Sequence, residues 1–150
     1  MARIPITSWT RKGRVWIDPK KILERARRQK ASSAIYSDSC ILCYQRNLVD
    51  LAIERYNATK MDHFSGCDYY EFVFKGKRIG IIKSGIGSPM AALILEDLIA
   101  RGVKHVISTG LAGALQYEGI LAGDIVLCTK AIRNEGTSYH YQKPSKYSYP

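Results

Sequence analysis

The hydrophobic and polar positions of the chain fall into blocks that predict helices and strands in alternation. Apolar residues spaced three and four positions apart predict helices over 20–30, 46–56 and 89–101. Continuous or β-rich apolar runs predict strands over 39–44, 69–74, 78–83, 103–108 and 125–132. Because a helix separates strand 78–83 from strand 103–108, we expect these two strands to run parallel in one sheet.

A glycine-rich corner lies between strand 78–83 and the helix that follows it. Gly85 and Gly87 can adopt backbone angles that other residues avoid. Ser88 is expected to cap the helix, and Pro89 suits its first turn. The amino end of such a helix presents unpaired N–H groups to an anion or a polar ligand. A turn that only connects two elements is the alternative.

A second corner follows strand 103–108, where the segment TGLAGAL occupies 109–115. In open α/β sheets, ligands bind at the carboxyl ends of the strands. Beyond it, residues 119–124 are predicted to form a turn, and polar groups gather over 133–141 after strand 125–132. The two corners together therefore predict a ligand site at one edge of the sheet.

The net charge of +10 is concentrated at the amino terminus. Residues 1–30 carry ten Lys or Arg and two acidic residues, a formal charge of +8, so residues 31–150 contribute only +2. This division predicts a basic extension with a helix over 1–30 and one domain over 31–150. The extension could bind nucleic acid, with Trp9 and Trp16 available for stacking, but a solvated helix face is favoured, so nucleic acid is not expected as a partner.

The four cysteines predict buried free thiols and no metal site. Cys40 and Cys43 form a CxxC pair inside strand 39–44, where residues three apart point to opposite faces. Cys67 and Cys128 add no second pair. The sequence contains no run of about 18 apolar residues and no apolar leader, so a cytoplasmic protein without a membrane partner is expected.

The stretch from Lys77 to Tyr141 resembles the nucleoside phosphorylase family, which contains purine nucleoside phosphorylases, uridine phosphorylases and the related nucleosidases. The segments GIGSPMAALILEDLIARGV, ISTGLAGALQ and AGDIVLCTKAIRNEGTSYHY occur in the order and at about the spacing of that family. The resemblance implies an α/β fold of three α/β/α layers with a central mixed sheet, and a homo-oligomer. It covers the first half of the family pattern, since the acidic ribose-binding segment of the family corresponds to positions after Pro150.

The activity implied by the resemblance is that of a pentosyltransferase. Such an enzyme cleaves the N-glycosidic bond of a uridine-type or purine-type nucleoside with phosphate as co-substrate and uses no other cofactor. The resemblance assigns no catalytic residue in this chain, and Arg46 is the residue expected to bind phosphate, as a partial substitute for the arginine contact of the family. The residues expected to bind the nucleoside are Gly85, Gly87, Ser108, Gly110, Ala112, Gly113, Arg133, Thr137 and His140.

Three departures from the family pattern fall on its phosphate cradle. Ser108 stands where the phosphorylases carry an arginine, and Leu111 replaces a hydroxyl residue. The segment 43–46 replaces a glycine-aspartate-proline loop. A nucleosidase that uses water, and a non-catalytic or truncated nucleoside-binding form, therefore stay open as alternatives.

Overall fold

The computed structural model describes residues 18–28, 36–115 and 119–150. Trp9, Trp16 and several of the basic positions expected in the amino-terminal extension lie outside the described residues. The chain divides into two compact units. We call the described residues 18–28 and 36–111 the sheet unit, and the described residues 112–115 and 119–150 the carboxyl-terminal unit.

The described part of the sheet unit alternates helices and strands. Their order is α1 (Pro19–Arg28), β1 (Ser39–Cys43), α2 (Arg46–Tyr56), β2 (Thr59–Phe64), β3 (Cys67–Phe74), β4 (Lys77–Lys83), α3 (Ser88–Ala100) and β5 (His105–Thr109). The described part of the carboxyl-terminal unit contains β6 (Ala131–Ile132), a 3-10 turn (Ser138–His140) and β7 (Tyr147–Ser148). All three predicted helices are confirmed. None of the helices in the described residues is long and apolar enough to cross a bilayer.

The sheet unit is built on a mixed five-stranded sheet with the strand order β2-β3-β4-β1-β5. β1 pairs in parallel with β4 on one side and with β5 on the other, whereas β2, β3 and β4 pair antiparallel. Cys43, at the end of β1, is in register with Lys83 of β4 and Thr109 of β5. The predicted parallel crossover is confirmed, and three strands end at one edge of the sheet.

Helices cover both faces of this sheet, which gives the expected three layers. One core cluster joins Cys40, Leu42 and Ile82 of the strands to Ile94 and Leu98 of α3. The other joins Cys43, Phe72 and Ile81 to Val49 and Ala52 of α2. Cys40 and Cys43 therefore face opposite sides, as the sequence predicts, and both are free, buried thiols. Burial raises the pKa of Cys43 and raises that of Cys40 to about 12, so neither thiol ionises readily.

A buried carboxylate ties the segment before β1 to the sheet. Glu71 of β3 accepts hydrogen bonds from the backbone N–H of Ser37 at 2.6 Å and from the Tyr69 hydroxyl at 2.9 Å. The guanidinium of Arg78 pairs with the same carboxylate. Because a buried charge is costly without partners, these contacts fix the position of the chain before β1.

Two predicted strands differ from the structure. A continuous apolar run such as 103–108 predicts a strand that is covered on both faces, but β5 is an edge strand in the described sheet and Ile107 is 70% exposed. The strand predicted over 125–132 is reduced to the two residues of β6, which pair with β7. In the described residues, 125–130 form no ladder, because an apolar run becomes a strand only where a partner supplies hydrogen bonds.

We predict that Gly80→Ala destabilises the sheet unit. A Cβ at Gly80 would lie 2.7 Å from Cζ of Tyr69, a fully buried ring whose hydroxyl is held by Ser37 and Glu71. Overpacking of this kind lowers the free energy of unfolding by about 1–3 kcal/mol. Urea unfolding measures the change.

Gly136→Ala is the matched control for this substitution. Its Cβ would meet no atom within 4 Å, and its φ is not positive, so the free energy of unfolding should change by less than about 0.5 kcal/mol. Equal stability of the two variants would contradict the packing described for Tyr69.

Candidate functional site

The carboxyl ends of β4, β1 and β5 bring both glycine corners of the sequence to one edge of the sheet. The first corner, over 84–88, follows β4, and the part of the second corner that belongs to the sheet unit, 110–111, follows β5. Because β1 lies between these strands and neighbouring strands are ~4.8 Å apart, the two corners begin about 10 Å from each other. Arg46, at the start of α2, belongs to the same edge.

The first corner needs its two glycines for different reasons. Gly87 has φ 95° and is the N-cap of α3, a conformation that side chains rarely adopt. Gly85 makes a close approach instead, since a Cβ there would lie 3.0 Å from Cγ of Met90. Ser88 was expected to be the cap, but it is the first residue of α3, and the cap makes no side-chain hydrogen bond. The backbone N–H of Ser84 donates to the carbonyl of Cys43 at 2.7 Å, which fixes the corner to β1.

The second corner is lined by uncharged side chains. A Cβ at Gly110 would lie 3.1 Å from Cδ2 of Tyr44, the residue that follows β1. The Ser108 hydroxyl donates to the Tyr44 hydroxyl at 3.3 Å. Leu111 is 87% exposed, so within the sheet unit its side chain does not fill this corner.

A cavity of about 300 Å³ lies beside the first corner. Its lining includes Gly85, Arg46 and Lys83, together with Tyr70 and Met90. Arg46 comes from the first turn of α2, and Lys83 is the last residue of β4. Two cations at one small cavity favour an anionic group of small size.

The acidic side chain at the cavity is paired with nearby bases. Asp68 lies 2.7 Å from Nζ of Lys60 and 2.6 Å from Nδ1 of His63. These hydrogen bonds, that of Lys60 first, lower the pKa of Asp68. Arg46 is largely exposed, and its Nε lies 2.8 Å from Oδ1 of Asp50 one helical turn away. A ligand that engages Arg46 therefore competes with Asp50.

Arg133 is held inside the carboxyl-terminal unit. It is only 5% exposed, its Nε donates to the Ser138 hydroxyl at 2.9 Å, and its Nη1 donates to the carbonyl of Lys143 at 2.7 Å and to Oγ of Ser145 at 2.8 Å. The guanidinium also lies 4.4 Å from the ring centroid of Tyr139. The resemblance implies that Arg133 binds the nucleoside, and in the described residues its guanidinium contacts groups of its own loop.

The other predicted site residues of the carboxyl-terminal unit lie in two places: Thr137 and His140 flank or end the 3-10 turn, and Ala112 and Gly113 lie at the start of the unit. Thr137 precedes the 3-10 turn, and His140, which is exposed, ends it with its backbone N–H on the carbonyl of Thr137 at 3.0 Å. Glu135 accepts the backbone N–H of Thr137 at 2.7 Å and so organises the turn. Ala112 and Gly113 are exposed, and a Cβ at Gly113 would meet no atom within 4 Å.

Comparison with protein families shows which family the chain resembles. The model of the phosphorylase superfamily matches residues 40–150, which is most of the chain. The chain belongs to the phosphorylase superfamily. The match includes both glycine corners, Arg46 and the segment that contains Arg133, Thr137 and His140.

Individual superfamily members match shorter stretches. The uridine phosphorylase of Thermococcus kodakarensis is 41% identical over 68 residues, which cover 45% of this chain and 24% of that protein. The guanosine phosphorylase of Halorubrum lacusprofundi is 39% identical over 69 residues, 46% of this chain and 28% of that protein. A crystal structure of uridine phosphorylase from Vibrio fischeri aligns with a TM-score of 0.68 and 30% identity, covering 76% of this chain and 48% of that one. The aligned part thus spans about a quarter to a half of these superfamily members.

Two side chains at this edge were missed by the sequence reasoning. The sequence pattern predicts Lys83 only as the end of strand 78–83, and Tyr44 only as the end of strand 39–44 and part of a departure from the family pattern. The order of the elements indicates both positions. Lys83 is the last residue of β4 and Tyr44 is the first residue after β1, and ligands bind where such parallel strands end. Within the residues that the structure covers, no group of three His, Cys, Asp or Glu converges as metal ligands.

We predict that Arg133→Ala loosens the carboxyl-terminal unit. The hydroxyl and carbonyl groups that now accept from the guanidinium lose a charged donor, and each such hydrogen bond contributes about 1.5–3 kcal/mol. Hydrogen exchange should show faster amide exchange over 133–148, and the free energy of unfolding should fall by about 2 kcal/mol or more.

Lys143→Ala is the control, because it keeps the carbonyl that accepts from Arg133 and changes only an exposed side chain. Unchanged exchange in Arg133→Ala, together with weaker nucleoside binding, would assign Arg133 to the ligand instead.

Proposed function

We propose that this chain carries a nucleoside phosphorylase site and cleaves the N-glycosidic bond of a uridine-type or purine-type nucleoside with phosphate as acceptor. The observation that carries the proposal is the meeting of two glycine corners and a cationic cavity at one edge of the sheet. Membership of the phosphorylase superfamily supports it, since the matched relatives are named uridine, guanosine and purine nucleoside phosphorylases.

The proposed chemistry depends on positioning and charge. Cleavage develops positive charge on the sugar and negative charge on the departing base, while phosphate attacks from the opposite face. In our proposal Arg46 and Lys83 hold the phosphate at the cavity, and the glycine backbones of the corners lie against the nucleoside. Gly85, Gly87, Ser108 and Gly110 supply the sheet-unit part of this site. The proposal assigns Ala112, Gly113, Thr137 and His140 to the nucleoside as well.

A nucleosidase that uses water is the second candidate. The observation in its favour is the uncharged lining of the corner after β5, where Ser108 bonds to Tyr44. A non-catalytic nucleoside-binding form is the third. The proposal keeps the expectations of a cytoplasmic homo-oligomer that needs no cofactor other than phosphate as co-substrate.

Base release from uridine, inosine, adenosine and methylthioadenosine, each with and without phosphate, tests the proposal. We predict release of the free base only with phosphate, with a pentose 1-phosphate as the second product. Release without phosphate would favour the nucleosidase, and binding without release would favour the non-catalytic form. Failure of all four nucleosides to bind or react would contradict the proposal.

Arg46→Gln probes the phosphate subsite within the same assay. Loss of one charge-assisted contact should raise the KM for phosphate about tenfold and leave nucleoside binding unchanged. Arg55→Gln is the matched control, because Arg55 lies in the last turn of the same helix, away from the cavity. Equal KM values for the two variants would remove Arg46 from the site.

A further inference from the structure

Tyr44 occupies the point of the sheet edge that lies between the two glycine corners. It is the first residue after β1, whose last residue is in register with Lys83 on one side and Thr109 on the other. Forty per cent of its surface is exposed, although its neighbour Cys43 is fully buried. An aromatic ring therefore reaches solvent where parallel strands of an open sheet end.

Two contacts hold the Tyr44 ring in place and leave much of it accessible. One ring edge faces Gly110, where an added Cβ would lie 3.1 Å from Cδ2 and 3.8 Å from Cε2. The hydroxyl is fixed by Ser108 Oγ at 3.3 Å. A side chain at position 110 would require the ring to shift by a few tenths of an ångström, so glycine there suits the present orientation of the ring.

The surroundings of the ring select an uncharged, flat ligand. Among the described residues, Ser108 bonds to the Tyr44 hydroxyl, and Gly110 and the Gln45 amide lie beside the ring; these three groups carry no charge. The cations Arg46 and Lys83 line the separate cavity with residues of β3. The cavity therefore offers an anion its most favourable contacts, whereas an aromatic heterocycle makes its most favourable contact by stacking on the ring.

We propose that Tyr44 is the platform on which the base of a bound nucleoside stacks, an inference that rests on the proposed function and deepens it. The ring positions the base between the two corners, so that the sugar is directed toward the cavity. Tyr44 is then a residue that determines affinity for the base. Ser108 and Gly110, which the proposed function assigns to the nucleoside, also contact this ring.

Nucleoside affinity of the full chain, measured by calorimetry with uridine and inosine in the absence of phosphate, tests this role. Tyr44→Leu should weaken binding about ten- to hundredfold, which is the range for loss of one stacked base. Tyr44→Phe keeps the ring and should bind within about twofold of the unmodified chain. Tyr149→Leu is the control, because it removes an exposed tyrosine from a different unit and should leave affinity unchanged.

Tyr44→Trp gives a readout that a purely structural residue would not give. Stacking of a base on the new indole should quench its fluorescence beyond any change in the unmodified chain, whose tryptophans are Trp9 and Trp16. This variant also keeps an aromatic ring, so the test does not depend on how Tyr44→Leu folds.

The outcomes separate the two proposals. If the unmodified chain binds nucleoside and Tyr44→Leu binds equally well, or if Tyr44→Trp shows no added quench, the platform role is wrong and the proposed function stands. If the unmodified chain binds no nucleoside, the proposed function fails and the platform role fails with it.

Discussion

The parallel pairing of β1 with both β4 and β5 is the constraint on which the rest of the site depends. Parallel strands all end at the same edge, so the segments that follow them meet there whatever their separation in sequence. β1 lies between β4 and β5, and both of its faces are apolar and covered: Cys40 and Leu42 pack against α3, and Cys43 packs against α2.

Charge divides this edge of the sheet into two parts. Arg46 and Lys83 face a small cavity near β3, whereas Tyr44 and Ser108 make the neighbouring corner neutral. The nearby carboxylate Asp68 is already paired with Lys60 and His63, so it does not cancel the cations of the cavity. This division suits a substrate pair in which one partner is an anion and the other an uncharged nucleoside.

The sequence predicted the helices and strands that bury an apolar face, because burial leaves a pattern of apolar positions. It missed the strand that is held mainly by hydrogen bonds to its neighbour. Helix 46–56 matches α2 in both bounds because its apolar spacing reflects the face packed on the sheet. β2 was missed because it is mostly polar and exposed, and pairing with β3 rather than burial holds it. The exposure of Ile107 in β5 was also missed, since an apolar run does not reveal which face of its strand another element covers. Within the site, the glycine corners were predicted from the spacing of their residues. The places of Lys83 and Tyr44 follow only from the order of the strands in the sheet.

The central claim is that nucleoside binds at the carboxyl edge of β4, β1 and β5. Its most direct test is a titration of the isotope-labelled chain with inosine or uridine, followed by NMR of the glycine amides. The account predicts shifts at Gly85, Gly87 and Gly110, with Gly76 and Gly102 unchanged because they precede β4 and β5 at the opposite edge. Shifts confined to Gly76 or Gly102, or a saturable titration that leaves all three corner glycines unmoved, would contradict it.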